Sequence, residues 1–232
     1  MPDLSERRVG VELMDAPDLE PARHVHALDA LSRVNTVSLV AGRVWTEIEQ
    51  LARLGARPVR VLDLACGGGD VLAALARRAL KSGLEVELHG CDRSRVALEH
   101  ARVAGAGLGV SYAVLDVIGE PLPSGFDLIC SSLFLHHLGT EDAIRLLRAM
   151  AHATERRLLI QDLRRTRLGH LFARVGLRML TRSDVARHDG PVSVESAFTT
   201  EEVSTMCREA GLGTAEVRTC WPQRLTVRWA RS

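Results

Sequence analysis

The chain has 232 residues, of which 46% are apolar and 25% charged, and its formal net charge is +1. That length suits one domain with an appended cap, and a near-neutral chain has no overall field to draw in a polyanion. Aromatic residues make up 3%, too few for the stacking platforms of a single-strand nucleic-acid binder, so nucleic acid is not an expected partner.

The longest stretches without Asp, Glu, Lys or Arg, Val103 to Leu115 and Leu128 to Thr140, are 13 residues each. Both fall short of the ~18–20 residues that span a bilayer, so no stable membrane insertion is expected. Met1 to Glu20 alternates charges with single apolar residues and does not read as a signal peptide. The five cysteines (Cys66, Cys91, Cys130, Cys207, Cys220) form no CxxC pair. Three of them sit in apolar strand-like runs, and a reduced, cytoplasmic setting is the expectation.

The first fifty or so residues read as helical: Val37, Val40, Val44, Ile48 and Leu51 recur at three- and four-residue steps and mark one apolar face. Strands then alternate with helices. Val61–Ala65 is a short apolar run ending in glycines, and Val71 to Leu80 a helix. Val86 to Cys91 is a second strand, followed by a helix from about Arg93 to Val103. Val110 to Leu115, Phe126 to Cys130 and Arg157 to Asp162 are three further strands, with a helix over Ile144 to Ala151 before the last. Continuous apolar strands joined by helices predict right-handed crossovers and a mainly parallel sheet covered on both faces.

After Asp162 the rhythm breaks. Arg164 to Ala197 is an insertion with one amphipathic helix, Leu168 to Leu180; a helix opening at Thr200 and closing at Gly211 follows. Val217–Cys220 and Leu225–Trp229 flank Trp221-Pro222 as an antiparallel pair. The expected division is a helical cap over 1–50 and a core over 51–232, with residues 164–197 an inserted lid.

The most informative segment is Val61-Leu62-Asp63-Leu64-Ala65-Cys66-Gly67-Gly68-Gly69-Asp70. A strand turning into a helix through glycines lets backbone approach a ligand at the carboxyl edge of a sheet. A dinucleotide fingerprint needs a third glycine where Leu72 stands, which disfavours pyrophosphate and points to a nucleoside without phosphates. Asp92, 23 residues after Gly69, ends the next strand, where a carboxylate can take both ribose hydroxyls or cap the next helix. Asp116 follows strand three, and Phe126 to Ser132 delivers small residues to the same edge.

On these residues the chain resembles the class I S-adenosylmethionine-dependent methyltransferases, specifically over Arg60 to Asp162. Within that family it looks most like the small-molecule branch of quinone-biosynthesis methylases and natural-product O-methyltransferases. The resemblance implies a Rossmann-like α/β fold, a seven-stranded, mainly parallel sheet with helices on both faces and a reversed last strand. It implies S-adenosylmethionine as cofactor and S-adenosylhomocysteine as product. Asp63, Ala65, Gly67 and Gly69 would line the methionine half. Asp92 would hold the ribose and Arg93 flank the adenine, whose edge would meet Asp116 and Val117, while Ser131 would cover the cofactor from strand four. Ser131-Ser132-Leu133-Phe134-Leu135-His136-His137 stands where nucleic-acid amino-methyltransferases carry an Asn-Pro-Pro-Tyr-like motif, which argues against base methylation.

His136 and His137 follow strand four, where an imidazole can take a phenolic or hydroxyl proton; one of them packing the helix while the other is solvated is the plainer alternative. Asp162 ends strand five, either assisting the chemistry, as in sugar methylases it resembles, or pairing with Arg164 or Arg165. His188-Asp189 is a candidate lid pair over the acceptor, His24 and His26 read as surface residues, and no His/Cys/Asp spacing matches a metal site. Arg156 to Arg187 holds nine arginines against Asp162 and Asp184, a basic amphipathic segment suited to covering a hydrophobic acceptor or touching a membrane surface.

The expected function is O-methylation of a small hydrophobic phenolic or enolic acceptor, polyketide- or quinol-like, by a monomer or homodimer. Carbon methylation of a quinol-like ring, a non-catalytic cofactor-binding module and a nicotinamide oxidoreductase are the alternatives.

Overall fold

Seven strands form one sheet in the order β3-β2-β1-β4-β5-β7-β6 in the computed structural model, which describes residues 2–16 and 18–231. They are β1 (Val59–Leu64), β2 (Val86–Asp92), β3 (Ser111–Val114), β4 (Phe126–Ser132), β5 (Thr154–Leu163), β6 (Glu216–Cys220) and β7 (Arg224–Ala230). β1 to β5 pair in parallel, whereas β7 runs antiparallel to both β5 and β6. Only β7 is reversed, and it needs no crossover because a tight turn joins it to β6.

The alternation of each central strand splits the apolar residues between two cores. Val61, Leu128 and Leu159 face α2 (Val40–Arg53) and α3 (Asp70–Ser82) through Val44, Ile48, Leu51, Leu72 and Leu75. Leu62, Ile129, Leu158 and Ile160 face α5 (Thr140–Ala153) and α8 (Thr200–Glu209) through Leu146, Leu147, Met150 and Met206. A period of two on each strand therefore feeds a layer of helices on either side.

The remaining helices stand over the carboxyl edge of the sheet. These are α1 (Pro21–Val37), α6 (Arg167–Leu180) and α7 (Asp184–Ser196), while α4 (Arg95–Ala104) flanks β2 and β3. α6 and α7 pack so closely that a Cβ on Gly190 would lie 2.0 Å from Leu177 Cδ1.

The structure departs from the sequence expectations in three places. Residues 2–16 and 18–20 hold a 3-10 turn, Leu13–Asp15, and otherwise run irregularly, because single apolar residues between charges offer no face to bury. The division expected at residue 50 falls inside α2, which is a wall of the sheet. The insertion contains two helices; α7 escaped the periodicity because Gly190, Pro191 and Ser193 interrupt its apolar pattern. α8 starts at Thr200, as expected, and Thr199 before it caps the helix in a reciprocal box with Glu202.

Candidate active site

The turn after β1 bends through left-handed backbone at Ala65 (φ 53°), Gly67 (φ 53°) and Gly69 (φ 70°). A side chain on Gly69 would also meet Tyr112 Oη at 2.7 Å and Ala101 Cβ at 2.8 Å, so glycine is dictated by space as well as by dihedral. α1 crosses this loop, with Leu28 over Gly67 and Gly68.

Asp92 locks the loop to the end of β2. Its Oδ2 accepts from the Gly67 amide at 2.8 Å and its Oδ1 from the Ser94 amide at 2.8 Å. Helix α4 is capped by Ser94, whose side chain accepts from Ala97 N, and not by Asp92. Each Asp92 oxygen keeps a lone pair free, which suits it to a pair of vicinal hydroxyls. Asp116 is exposed at the end of β3, bracing its own turn by accepting from Ile118 N, and Val117 is buried beside it.

Two other expected cofactor residues lie deeper. Asp63 is buried, receives the Cys130 thiol at Oδ1, and is pushed up to about 7 by burial. Ser131 is buried too and donates to the Leu64 carbonyl of β1. Arg93 is exposed and pairs with Asp15 at 2.9 Å.

After β4 the chain turns through Leu133 (φ 58°) into a 3-10 turn, Leu135–His137, that holds both histidines. Asp162, at the end of the neighbouring β5, receives the His136 amide at Oδ2 (3.1 Å) and lies 2.6 Å from His136 Nδ1 at Oδ1. The pairing with Arg164 or Arg165 is not made: Arg165 goes to Glu202 at 2.6 Å. Burial opposes ionisation of both partners, yet their mutual attraction prevails, raising His136 to about 10 and holding Asp162 below the usual carboxylate range.

The N-terminal strap adds a carboxylate from the far end of the chain. Glu12 Oε1 lies 3.5 Å from His136 Nε2, Glu12 Oε2 lies 3.8 Å from His137 Nε2, and Asp15 Oδ2 lies 3.1 Å from His137 Nδ1. Ser193 donates to Glu12 at 2.6 Å. Arg7 ties the strap down by donating to the His136 and Leu138 carbonyls. Glu12, His136 and His137 bring ligand-type atoms within 4.8 Å of one another, a donor set able to hold a divalent metal that spacing along the sequence does not disclose.

Asp189 of the His188-Asp189 pair lines the cavity above the histidines, but its carboxylate is committed to the strap. Asp189 is buried in α7, where its carboxylate accepts from the Leu13 and Met14 amides and fixes the strap. His24 is half-buried, and burial pushes it down despite Asp92 and Asp15 nearby. Neither Glu12 nor Arg7 carried a signal in the sequence, since charged residues in an irregular segment resemble ordinary solvated surface.

His136 and His137 form the polar floor of a cavity of about 520 Å³ roofed by α1, α6, α7 and the turn between β6 and β7. Leu31, Val34, Leu133, Phe172, Leu177 and Trp221 are among its apolar walls. Its rim leaves Leu171, Phe172 and Trp221 between 40% and 59% exposed, with the Phe172 and Trp221 rings 6.3 Å apart. Gly67, Gly69 and Asp92 do not line it. The cavity thus lies over the ends of β4, β5 and β7, apart from the glycine turn.

Residues 61–156 match the family described as methyltransferase domain. The ubiquinone/menaquinone biosynthesis C-methyltransferase of Bordetella parapertussis is 34% identical over 146 residues, or 60% of this chain and 54% of that protein. The chain therefore spans about half the length of that relative. A ubiquinone biosynthesis O-methyltransferase of Paracidovorax citrulli is 29% identical over 194 residues, 80% of this chain and 75% of the relative. Among solved structures, the apo S-adenosylmethionine-dependent methyltransferase SibL superposes with a TM-score of 0.63 at 25% identity, covering 94% of this chain and 60% of that one. The plantazolicin methyltransferase BpumL shares the fold, with a TM-score of 0.60 at 14% identity over 93% of this chain and 86% of its own. Sheet order, glycine turn and relatives agree: residues 61–156 carry a methyltransferase domain, and the chain resembles the class I S-adenosylmethionine-dependent methyltransferases in sequence and fold.

Proposed function

We propose that the protein methylates an oxygen of a small, mainly apolar phenolic or enolic acceptor, polyketide- or quinol-like, using S-adenosylmethionine. The observation that carries this reading is the apolar cavity whose polar floor is His136 and His137. The bound cofactor would supply an electrophilic methyl on a sulfonium. The residues present fit it: Gly67 and Gly69 give a side-chain-free turn for its methionine end, Asp92 two free lone pairs for its ribose, and Asp116 with Val117 an edge for its adenine. Asp63 and Ser131, both buried, brace the ends of β1 and β4 beneath it.

In-line transfer gains most from holding the acceptor oxygen in place, and the cavity walls do this by excluding water and fixing the ring. Release of the acceptor's proton falls to the His137 imidazole, since His136, raised to about 10 by Asp162 and Glu12, already carries its proton and offers the acceptor oxygen an N–H instead. Asp162 and Asp15 bond the two Nδ1 atoms and leave the two Nε2 atoms turned towards Glu12, so the strap must yield for an acceptor hydroxyl to meet them. Asp162 thereby acts as a positioning residue, sealed from the cavity behind His136. The first fifty residues and 164–197 would enclose the acceptor, with the apolar face of α6 as its cover.

The similarity to a C-methyltransferase supports a second reading, methyl transfer to a ring carbon of a quinol-like acceptor. Calorimetry with S-adenosylhomocysteine against NADH tests the cofactor, and binding of NADH alone would refute the proposal. A panel of phenols and quinols with isotopically labelled cofactor, read by product NMR, separates transfer to oxygen from transfer to carbon. Among the described residues no helix is long and apolar enough to cross a membrane, so a lipophilic acceptor would have to reach the cavity through its rim.

A further inference from the structure

Arg224, the first residue of β7, is the largest side chain that is fully buried, at 1% exposure. Both terminal nitrogens of its guanidinium, Nη1 and Nη2, lack a hydrogen-bond partner. A guanidinium carries five donors and stays charged in proteins, so an unpaired one in the interior is a standing cost. Its surroundings deepen the deficit. Arg43 donates to the Ser38 and Trp221 carbonyls and Arg164 to the Gln223 side chain, and neither is in ion-pair contact with a carboxylate among the described residues. The nearest acids are already committed, Asp162 to His136 and Asp70 to Asn35. Ser38, whose hydroxyl is also buried and unpartnered, lines the same cavity as Arg224, Gln223 and Leu163.

A cavity otherwise walled by aliphatic and aromatic side chains thus includes an unpaired guanidinium among its lining residues, on β7 opposite Leu163 of β5. Arg224 has no hydrogen-bonded counter-ion there, since Asp162 and Asp70 act on it only through space, and protein packing alone does not favour that. We propose that Arg224 is the anchor of a carboxylate-binding subsite, so that the molecule filling the cavity is an apolar hydroxy acid and not a neutral phenol. The planar fork of arginine suits a carboxylate bidentately, and burial strengthens the pair by excluding water. The acceptor's hydroxyl would then lie at His136 and His137 and its acid group at Arg224, which fixes the orientation of the ring between them. This rests on the function proposed above only for the word acceptor; the subsite itself is a matter of binding.

The same carboxylate chemistry is present in the methionine end of the cofactor, and the test separates the two sources. Titration calorimetry of the full chain would use 3-hydroxy-2-naphthoate and its methyl ester, then S-adenosylhomocysteine and 5′-methylthioadenosine, which lacks the amino-acid end. The free acid should bind the wild type at least about tenfold more tightly than the ester. Arg224→Met should erase that preference, and Arg224→Lys should keep part of it. Arg224→Met should also melt no lower than the wild type, since a buried unpaired charge has been exchanged for an apolar chain of similar length. A preference for acid that survives Arg224→Met overturns the proposal, as does a large fall in melting temperature, which would mark Arg224 as a structural residue. Weakened S-adenosylhomocysteine with unchanged methylthioadenosine would assign the carboxylate to the cofactor and overturn the hydroxy-acid inference. Tight acid binding without turnover would leave the subsite standing and remove the proposed methylation.

Discussion

His136 Nδ1 lies 2.6 Å from Asp162 Oδ1, and the same carboxylate takes the His136 backbone amide through its other oxygen. One side chain at the end of β5 therefore sets both the ring and the backbone of the turn that follows β4. Both residues are almost wholly buried, at 3% and 1% exposure, so neither can exchange its partner for water without opening the site.

Asp162→Asn should lower acceptor turnover by about a hundredfold while leaving S-adenosylhomocysteine affinity unchanged, because Asp162 orients the imidazole and lies outside the glycine turn. The buried His136 would be left with Glu12 as its counter-charge, at 3.5 Å, and the fold should lose ~3–5 kcal/mol. Single-turnover kinetics, calorimetry and denaturant titration read the three effects separately.

Asp92→Ala should weaken S-adenosylhomocysteine by roughly tenfold or more, since it removes the acceptor of ribose hydroxyls and unties Gly67 from β2. Calorimetry reads it, and an unchanged affinity would remove Asp92 from the cofactor site. Gly69→Ala should cost ~1–3 kcal/mol of stability in the same assay series, from the φ of 70° and the contact with Tyr112.

Asp189→Ala should free the strap. Two backbone amides, Leu13 N and Met14 N, lose their buried acceptor, at a cost of ~1–3 kcal/mol each if no water replaces it. Limited proteolysis should then cut within residues 2–16 faster than in the wild type. Glu12, carried on that strap, should leave His136 more often.

Asp63 sets a pH dependence with a defined sign. Its carboxyl titrates near 3.8 when solvated and near 7 in the fold, where burial favours the protonated form. The folded state therefore holds this proton more tightly, and its contribution is whole below about pH 4 and lost as pH rises through 7. The stability of the wild type relative to Asp63→Asn should fall steadily over that interval and then level off. Denaturation of both proteins across it provides the measurement, and a difference that rises with pH would contradict the assignment.

Much of the core was legible because it depends on local order. Val61–Ala65 followed by Gly67 and Gly69, then Asp92 after a second strand, is read directly, since a β-strand places its ligand-facing end beside its own turn. The continuous apolar runs at β4 and β5 follow from burial on both faces of the sheet, and the closing pair β6–β7 from two apolar segments flanking Trp221-Pro222.

Partnership over long sequence distance was decided only by tertiary structure. Glu12 meets His136 across 124 positions, Asp189 holds Leu13, and Arg224 faces the cavity that α1 and α6 close. None of these leaves a period or a motif, because a charged residue in an irregular segment and a solvated one have the same composition. What distinguishes them is burial without an alternative partner, and burial exists only once the sheet has brought the ends of β4, β5 and β7 to one edge.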